Sequence, residues 1–245
     1  MDLQIGNISK TYPDGVQALK NVTLSIATGI YGLVGPADAG KSTLLRILTG
    51  VQRPDEGSVW LDGIDVLNHV HDVDHLVGYL TESPGGDSWA IARSPKLLII
   101  DRPLAGLEPD KRVRLTDLMR ELAQTSIVIL STRQIDDVRD LCTRMGIIHD
   151  GRILLEADPR CASGGLCGRI WSREVAKEAL ARVQREHAVI STRVLDGRPF
   201  VRVYSNVAPG VGYERAKPEL EDVYLSALAG HIGARSVPTE ASAAS

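Results

Sequence analysis

The sequence predicts an α/β fold with a mostly parallel sheet, antiparallel strands at its N-terminal end and a small α+β appendage at its C-terminal end. Three observations carry this. Short apolar runs fit for buried strands alternate with stretches of helical spacing. A glycine-rich loop, "GPADAGKST" at 35–43, lies between one such run and one such helix. Near residue 157 the pattern changes to loop, helix, strand and short helix.

The first thirty residues read as strands, "LQIGNIS" and "ALKNVTLSI", joined by "TYPDGV", whose Pro-Asp-Gly marks a turn. "IYGLVG" is a short run suited to a buried parallel strand. "KSTLLRILTG" follows with Leu44, Leu45, Ile47 and Leu48 at helical spacing and Gly50 as a stop. "GSVWLDGIDV" reads as a hairpin-like unit, and "HLVGYL", "KLLII", "SIVILST" and "MGIIHDGRILLE" read as strands. Helices fit "PDKRVRLTDLMRELAQ", opened by Pro109, and "QIDDVRDLCTR". Residues 1–156 form the main domain of this reading and 157–230 the appendage. In the appendage "ADPRCASGGLCGR" is loop-like, "SREVAKEALARVQREH" is a helix with a solvated charged face, "FVRVYS" is a strand and "PELEDVYLSALAG" a short helix. The polar tail 231–245 is expected to be disordered. No internal repeat is present.

Composition narrows the function classes. With 245 residues, 43% hydrophobic and 24% charged, the chain can build one full domain plus an appendage. A net charge of −3 speaks against a nucleic-acid binder that works through a broad basic face. No apolar run approaches the length of a membrane span, and "MDLQIGNISK" lacks the apolar core of a secretion signal. Cys142, Cys161 and Cys167 are too few and too irregular for a disulfide framework or zinc site. These features together give the cytosol as the expected compartment.

The loop at 35–43 satisfies G-x-x-x-x-G-K-[ST]. Gly35 and Gly40 let the backbone curl so that its N–H groups point at phosphate oxygens, and the following helix adds its dipole. Lys41 reaches the outer phosphates and the Ser42 hydroxyl is placed to ligate Mg²⁺. Pro36, Ala39 and Thr43 complete the cradle, while Asp38 adds a carboxylate expected to point to solvent. Asp101, at the end of "LLIID", supplies the second half of the site and holds the metal through its water shell. His69, His71 and His75, with Asp72 and Asp74 between them, have spacings that suit neither one strand face nor one helix face. They read as a solvated polar segment rather than a metal site. Trp60 and Trp89 are expected to pack.

With these motifs in hand, the chain resembles the ATP-binding subunit of an ABC transporter over most of residues 1–155. "TYPDGVQALKNVTLSI" resembles the family's opening segment, which implies that Tyr12 stacks on adenine. "LAGLEP" resembles the D-loop, "VILSTRQIDDVRDLC" the switch segment, and "HDGRILLEADP" the strand that follows. "PELEDVYLSAL" is similar to the C-terminal extension of subunits that serve ABC-2-type exporters. The resemblance implies an ABC-type P-loop NTPase core, ATP and Mg²⁺ as ligands, and two partners: a membrane-spanning transporter subunit and a homologous ATP-binding subunit. It implies a cytoplasmic protein at the inner face of the cell membrane, without direct membrane insertion.

Four departures from that pattern matter. Arg102 stands where the family has the glutamate that polarises the attacking water, and arginine stays protonated. Arg133 replaces the switch histidine, and Glu82 the glutamine of the Q-loop in "VGYLTES". The helical subdomain is largely deleted near 83–95, with "SPGG" at 83–86 as a remnant of the signature. Glu82 is a poor stand-in base on grounds of reach. Two readings stay open: a site that holds ATP without splitting it, or a decayed relative whose arginines point to solvent. A non-transporting regulatory or scaffold module is the rival from another class.

Overall fold

A computed structural model describes residues 1–69, 75–81, 95–102 and 106–233. The expectations for Glu82, "SPGG", Trp89, His71, Asp72, Asp74 and the tail beyond residue 233 lie outside the described residues. The chain divides into two compact units, Met1–Glu156 and Ala157–Ser245.

The first unit holds two sheets. The antiparallel one has the order β2-β1-β4-β5, from β1 (Asp2–Thr11), β2 (Gln17–Ala27), β4 (Glu56–Leu61) and β5 (Ile64–Asp65). Alternation turns Leu3 and Ile5 of β1 inward, and the irregularity between Ile5 and Ile8, where Asn7 has φ 54°, brings Ile8 to the same face; they meet Leu24, Ile26 and Val59 in one core. The second sheet has six strands in the order β10-β9-β3-β8-β7-β6. These are β3 (Gly29–Val34), β6 (Val77–Thr81), β7 (Leu97–Asp101), β8 (Ile127–Thr132), β9 (Arg144–His149) and β10 (Arg152–Ala157). β6, β7, β8, β3 and β9 pair in parallel, and every residue of β3 and β8 is buried. That burial on both faces is why these strands read as continuous apolar runs. The fold is the expected α/β core with antiparallel N-terminal strands.

Helix α1 (Lys41–Leu48) turns Leu44, Leu45, Ile47 and Leu48 into the shared core, against Leu33, Leu97 and Ile129. Helices α2 (Pro109–Leu122) and α3 (Ile135–Leu141) follow β7 and β8. Strand register decides where the chemistry sits. Val34 pairs with Thr132 and Asp101 with Ser131, so β3, β7 and β8 end together at one edge of the sheet. Carboxyl ends of parallel strands are where open α/β sheets place ligands.

The second unit carries an antiparallel sheet, β12-β13-β11-β14. It is built from β11 (Ile170–Glu174), β12 (Val189–Leu195), β13 (Arg198–Tyr204) and β14 (Glu214–Arg215), with helices α4 (Leu180–Glu186) and α5 (Leu220–Leu228). Two sequence expectations are corrected here. Ser172–Glu174 of the expected helix are strand, paired with Arg202, Val201 and Phe200, and the helix shrinks to α4. "VISTRVL" forms β12, which the sequence reading missed. In the first case sheet pairing overrides local helix spacing, and in the second pairing with β13 fixes a segment that carries no clear local signal. Asp196-Gly197 joins β12 to β13, just as Asp62-Gly63 joins β4 to β5. Both residues of each pair have positive φ, the conformation that two-residue hairpins require. Trp171, Val175, Val183, Val201, Val203 and Tyr213 make this unit's core. Arg202 is clamped by Asp222, with Nε donating to Oδ1 at 2.7 Å and Nη2 to Oδ2 at 2.5 Å, and Nη2 also donates to Lys217 O at 2.9 Å. Order continues past residue 230: His231 stacks on Tyr204 with ring centroids 5.1 Å apart, and Ile232 is buried.

Candidate functional site

The loop between β3 and α1 takes its shape from its glycines. A Cβ at Gly35 would lie 2.2 Å from Ile148 O, and one at Gly40, where φ is 101°, would lie 2.5 Å from Ala18 O. No side chain fits either place. Gly40 caps α1, so the helix's first N–H groups open onto the cleft. Lys41 is 7% exposed and folds back on the loop, its Nζ donating to Gly35 O at 2.7 Å and to Pro36 O at 2.5 Å.

Around this loop lies a cleft of about 320 Å³. Tyr12, Asp38, Ala39, Gly40, Lys41, Ser42, Thr43, Asp101, Arg102 and Arg133 all line it. Gly35 and Pro36 stand behind it as acceptors for Lys41. Asp38 is exposed at the mouth. Ser42 Oγ donates to Asp101 Oδ2 at 3.4 Å, which brings two hard oxygen ligands together. That donor pair fits Mg²⁺, which prefers oxygen and fills its remaining positions with water and substrate phosphates. The Tyr12 hydroxyl bonds Thr43 Oγ1 at 3.1 Å and donates to Gln52 Oε1 at 3.2 Å, which fixes the ring at the cleft's side. The bond to Thr43 is also the main cause that lowers the Tyr12 phenol below its ordinary pKa.

Both arginines follow strand ends. Arg102 comes after β7 with φ at 53°, its N–H donating to Ser131 O at 2.9 Å, and Arg133 comes after β8. A positive φ on a long side chain is uncommon and costs on the order of 1 kcal/mol. Burial, then the positive charge of Arg133, pushes the Lys41 ammonium down to about 8; Arg102 adds to this, while Asp101 and Asp38 oppose it. Lys41 thus feels two arginines and two carboxylates of the cleft at once.

Sequence reasoning missed the braces. The Asp150-Gly151 turn between β9 and β10 lines the cleft. Gly151 N donates to Ala39 O at 3.1 Å, and Lys20 N donates to Gly151 O at 2.8 Å. The visible signal was the Asp-Gly pair, but its target lies more than a hundred residues away. A second network orients the switch segment. Thr132 Oγ1 donates to Asp137 Oδ2 at 2.9 Å, Arg112 Nη2 to Asp137 Oδ1 at 2.7 Å, and Gln134 N to Thr132 Oγ1 at 3.0 Å. Asp137 is 3% exposed, so α2, α3 and β8 meet at a buried carboxylate one turn from Arg133. Trp60, expected to pack, is instead exposed on β4.

A family model described as "ABC transporter" matches residues 19–183, more than half of the chain. The chain belongs to the ABC transporter family. Among curated ABC relatives, the methionine import ATP-binding protein MetN of Helicobacter hepaticus is 26% identical over 216 positions, covering 62% of this chain and 62% of that protein. The alignment is longer than the share of this chain it uses, so it leaves gaps in this sequence where MetN has residues. The chain spans less than two thirds of the length of this MetN. The probable sulfate/thiosulfate import ATP-binding protein CysA of Chlorella vulgaris is 28% identical, covering 63% of this chain and 90% of that protein. The probable multidrug ABC transporter ATP-binding protein YbhF of Escherichia coli is 21% identical, covering 82% of this chain and 47% of that protein. A solved ATP-binding subunit of an ABC transporter superposes with a TM-score of 0.59 at 19% identity, covering 67% of this chain and 92% of that one. The dimeric cassette MJ0796 gives 0.57 at 20% identity, covering 64% and 98%. These likenesses establish the ABC cassette fold for the P-loop core.

Proposed function

We propose that this chain is the ATP-binding subunit of an ABC-type transport system and that its own site binds Mg²⁺–ATP but hydrolyses it poorly or not at all. The observation that carries this is the pairing, in one cleft, of a complete phosphate cradle with two arginines where proton-accepting groups would stand. Tyr12 receives the adenine. The loop N–H groups and Lys41, once it exchanges its carbonyl partners for phosphate oxygens, hold the phosphates. Ser42 and Asp101 hold the metal, which neutralises phosphate charge. Arg102 and Arg133 donate to the terminal phosphate. Neither can accept a proton from water, so neither can serve as the general base at the position it occupies.

The transport partners in this reading are a membrane-spanning subunit and a second ATP-binding subunit, with the chain cytoplasmic at the membrane's inner face. Among the described residues no helix is long and apolar enough to cross a membrane. An ABC-2-like export role rests on the resemblance of "PELEDVYLSAL", supported by the alignment with YbhF, which takes in 82% of this chain. One observation favours the rival reading, a non-transporting regulatory or scaffold module. Only residues 82–94 separate β6 from Pro95, where the family's docking subdomain would be. Co-purification with a polytopic membrane protein selects transport, and its failure selects the rival.

ATP binding itself is tested by Lys41→Ala. Loss of one charge-assisted donor is worth about 1.5–3 kcal/mol, so affinity falls roughly 10- to 150-fold. Titration calorimetry reads this directly. Equal affinity in wild type and variant would remove the nucleotide from the loop.

A further inference from the structure

We propose that the outer face of the antiparallel sheet carries a second binding site, a groove between Trp60 and Glu156 that takes a small organic cation with a planar guanidinium or amidinium group. Among the described residues, none that lines this groove also lines the phosphate-loop cleft, so the two sites stand or fall separately.

Alternation builds the floor of the groove. Leu3, Ile5, Leu24, Val59 and Leu61 turn into the core, so Gly6 of β1, Thr23 and Ser25 of β2, and Ser58 and Trp60 of β4 turn outward. Most of these side chains are short. Gly6 has none, and it sits opposite Ser58, where a Cβ would come within 3.2 Å of Ser58 Oγ. β1 also slips register with β2 between Ile5 and Ile8 and with β4 between Gly6 and Ser9, and such bulges bend a strand. Short side chains beside a bent strand leave a groove of about 500 Å³, within the range of small-ligand pockets.

Two walls give the groove its chemistry. Trp60 is 41% exposed, a large aromatic surface left to water. Glu156, on β10, is half-buried, and its Oε1 accepts from the Tyr31 hydroxyl at 3.1 Å, which holds the carboxylate in place. Burial is the largest influence on this carboxyl and raises it above its ordinary pKa; the Tyr31 hydrogen bond and the charge of Arg144 pull the other way without cancelling it. Arg144 lines a different cavity, with Tyr31 and Thr143. The ionised carboxylate is therefore under-solvated where it stands, and a cation placed against it restores what burial removes. A guanidinium-type group meets both walls at once, because it stacks on an aromatic face and presents paired N–H donors to a carboxylate. An ammonium is more strongly hydrated and gives up more water on entering.

Benzamidine, a flat amidinium, and benzamide, its uncharged counterpart of nearly the same shape, are the probes. Each is titrated against the full-length chain by calorimetry and ligand-observed NMR. Benzamidine should bind saturably with a dissociation constant of about 1 mM or below, and benzamide about tenfold more weakly or worse. Glu156→Gln removes the charge at equal volume and should weaken benzamidine about tenfold or more. Trp60→Ala should weaken it about threefold or more. Thermal melting confirms that each variant is folded; if Glu156→Gln is not, Trp60→Ala and the benzamide comparison decide. No saturable benzamidine binding up to about 10 mM, equal affinity for benzamide, or unchanged binding in either folded variant overturns the proposed site. The ATP-binding reading is untouched by each of these results.

Discussion

Arg102→Glu combined with Arg133→His should raise the rate of phosphate release from Mg²⁺–ATP by about 10²-fold or more. Supplying a positioned general base contributes roughly 10²–10⁴ in rate, or about 3–5 kcal/mol of barrier. The position is suited to receive one, because residue 102 directly follows Asp101 and lines the same cleft as the phosphate loop. Glutamate at φ 53° bears the same backbone strain as arginine, so the gain is not traded against a new conformational cost. Histidine at 133 keeps a donor toward the phosphate end while lowering the charge beside Lys41, whose ammonium Arg133 now pushes down. Phosphate release is read at saturating nucleotide. A folded, ATP-binding double variant no faster than wild type would show that the arginines are not what limits turnover.

Asp222→Ala should destabilise the second unit by about 3–5 kcal/mol, because it strands a buried guanidinium. Arg202 is 8% exposed and Asp222 2%, and the pair is bidentate. The same carboxylate accepts from Glu219 N at 2.7 Å and closes the capping box that starts α5, so helix and sheet both lose an anchor. Replacing both partners with apolar residues of similar volume should cost much less, since the penalty comes from the uncompensated charge. Hydrogen exchange at the β11 and β13 amides measures this. Unchanged protection in Asp222→Ala would mean that the pair is structurally idle.

The parts of the fold legible in the sequence are those where local pattern and tertiary environment agree. β3, β7 and β8 are sealed on both faces, so "IYGLV", "LLIID" and "IVILST" show as apolar runs whatever they pair with. The phosphate loop is legible because its glycines answer to sterics within a few residues and its lysine to the motif. β11 and β12 were illegible for the opposite reason. "SREV" carries helical spacing and charge, and "VISTRVL" exposes Val194 and Leu195, so nothing local distinguishes strand from helix or loop; pairing with β13 decides. The site divides the same way. Lys41, Ser42 and Asp101, read from the phosphate loop and the apolar strand, and Tyr12, Arg102 and Arg133, picked out by the family resemblance, line one cleft. The brace from Gly151 to Ala39 and the Arg112–Asp137–Thr132 network depend on contacts between distant segments, which no motif encodes.

The most direct measurement is ATP binding and phosphate release followed on one purified sample of the full-length chain, with Lys41→Ala alongside. The expected result is saturable binding that the Lys41 change weakens, with phosphate release close to background. Turnover of about 1 per second or faster in the wild-type chain alone, abolished by Lys41→Ala, would contradict a site that holds ATP without splitting it.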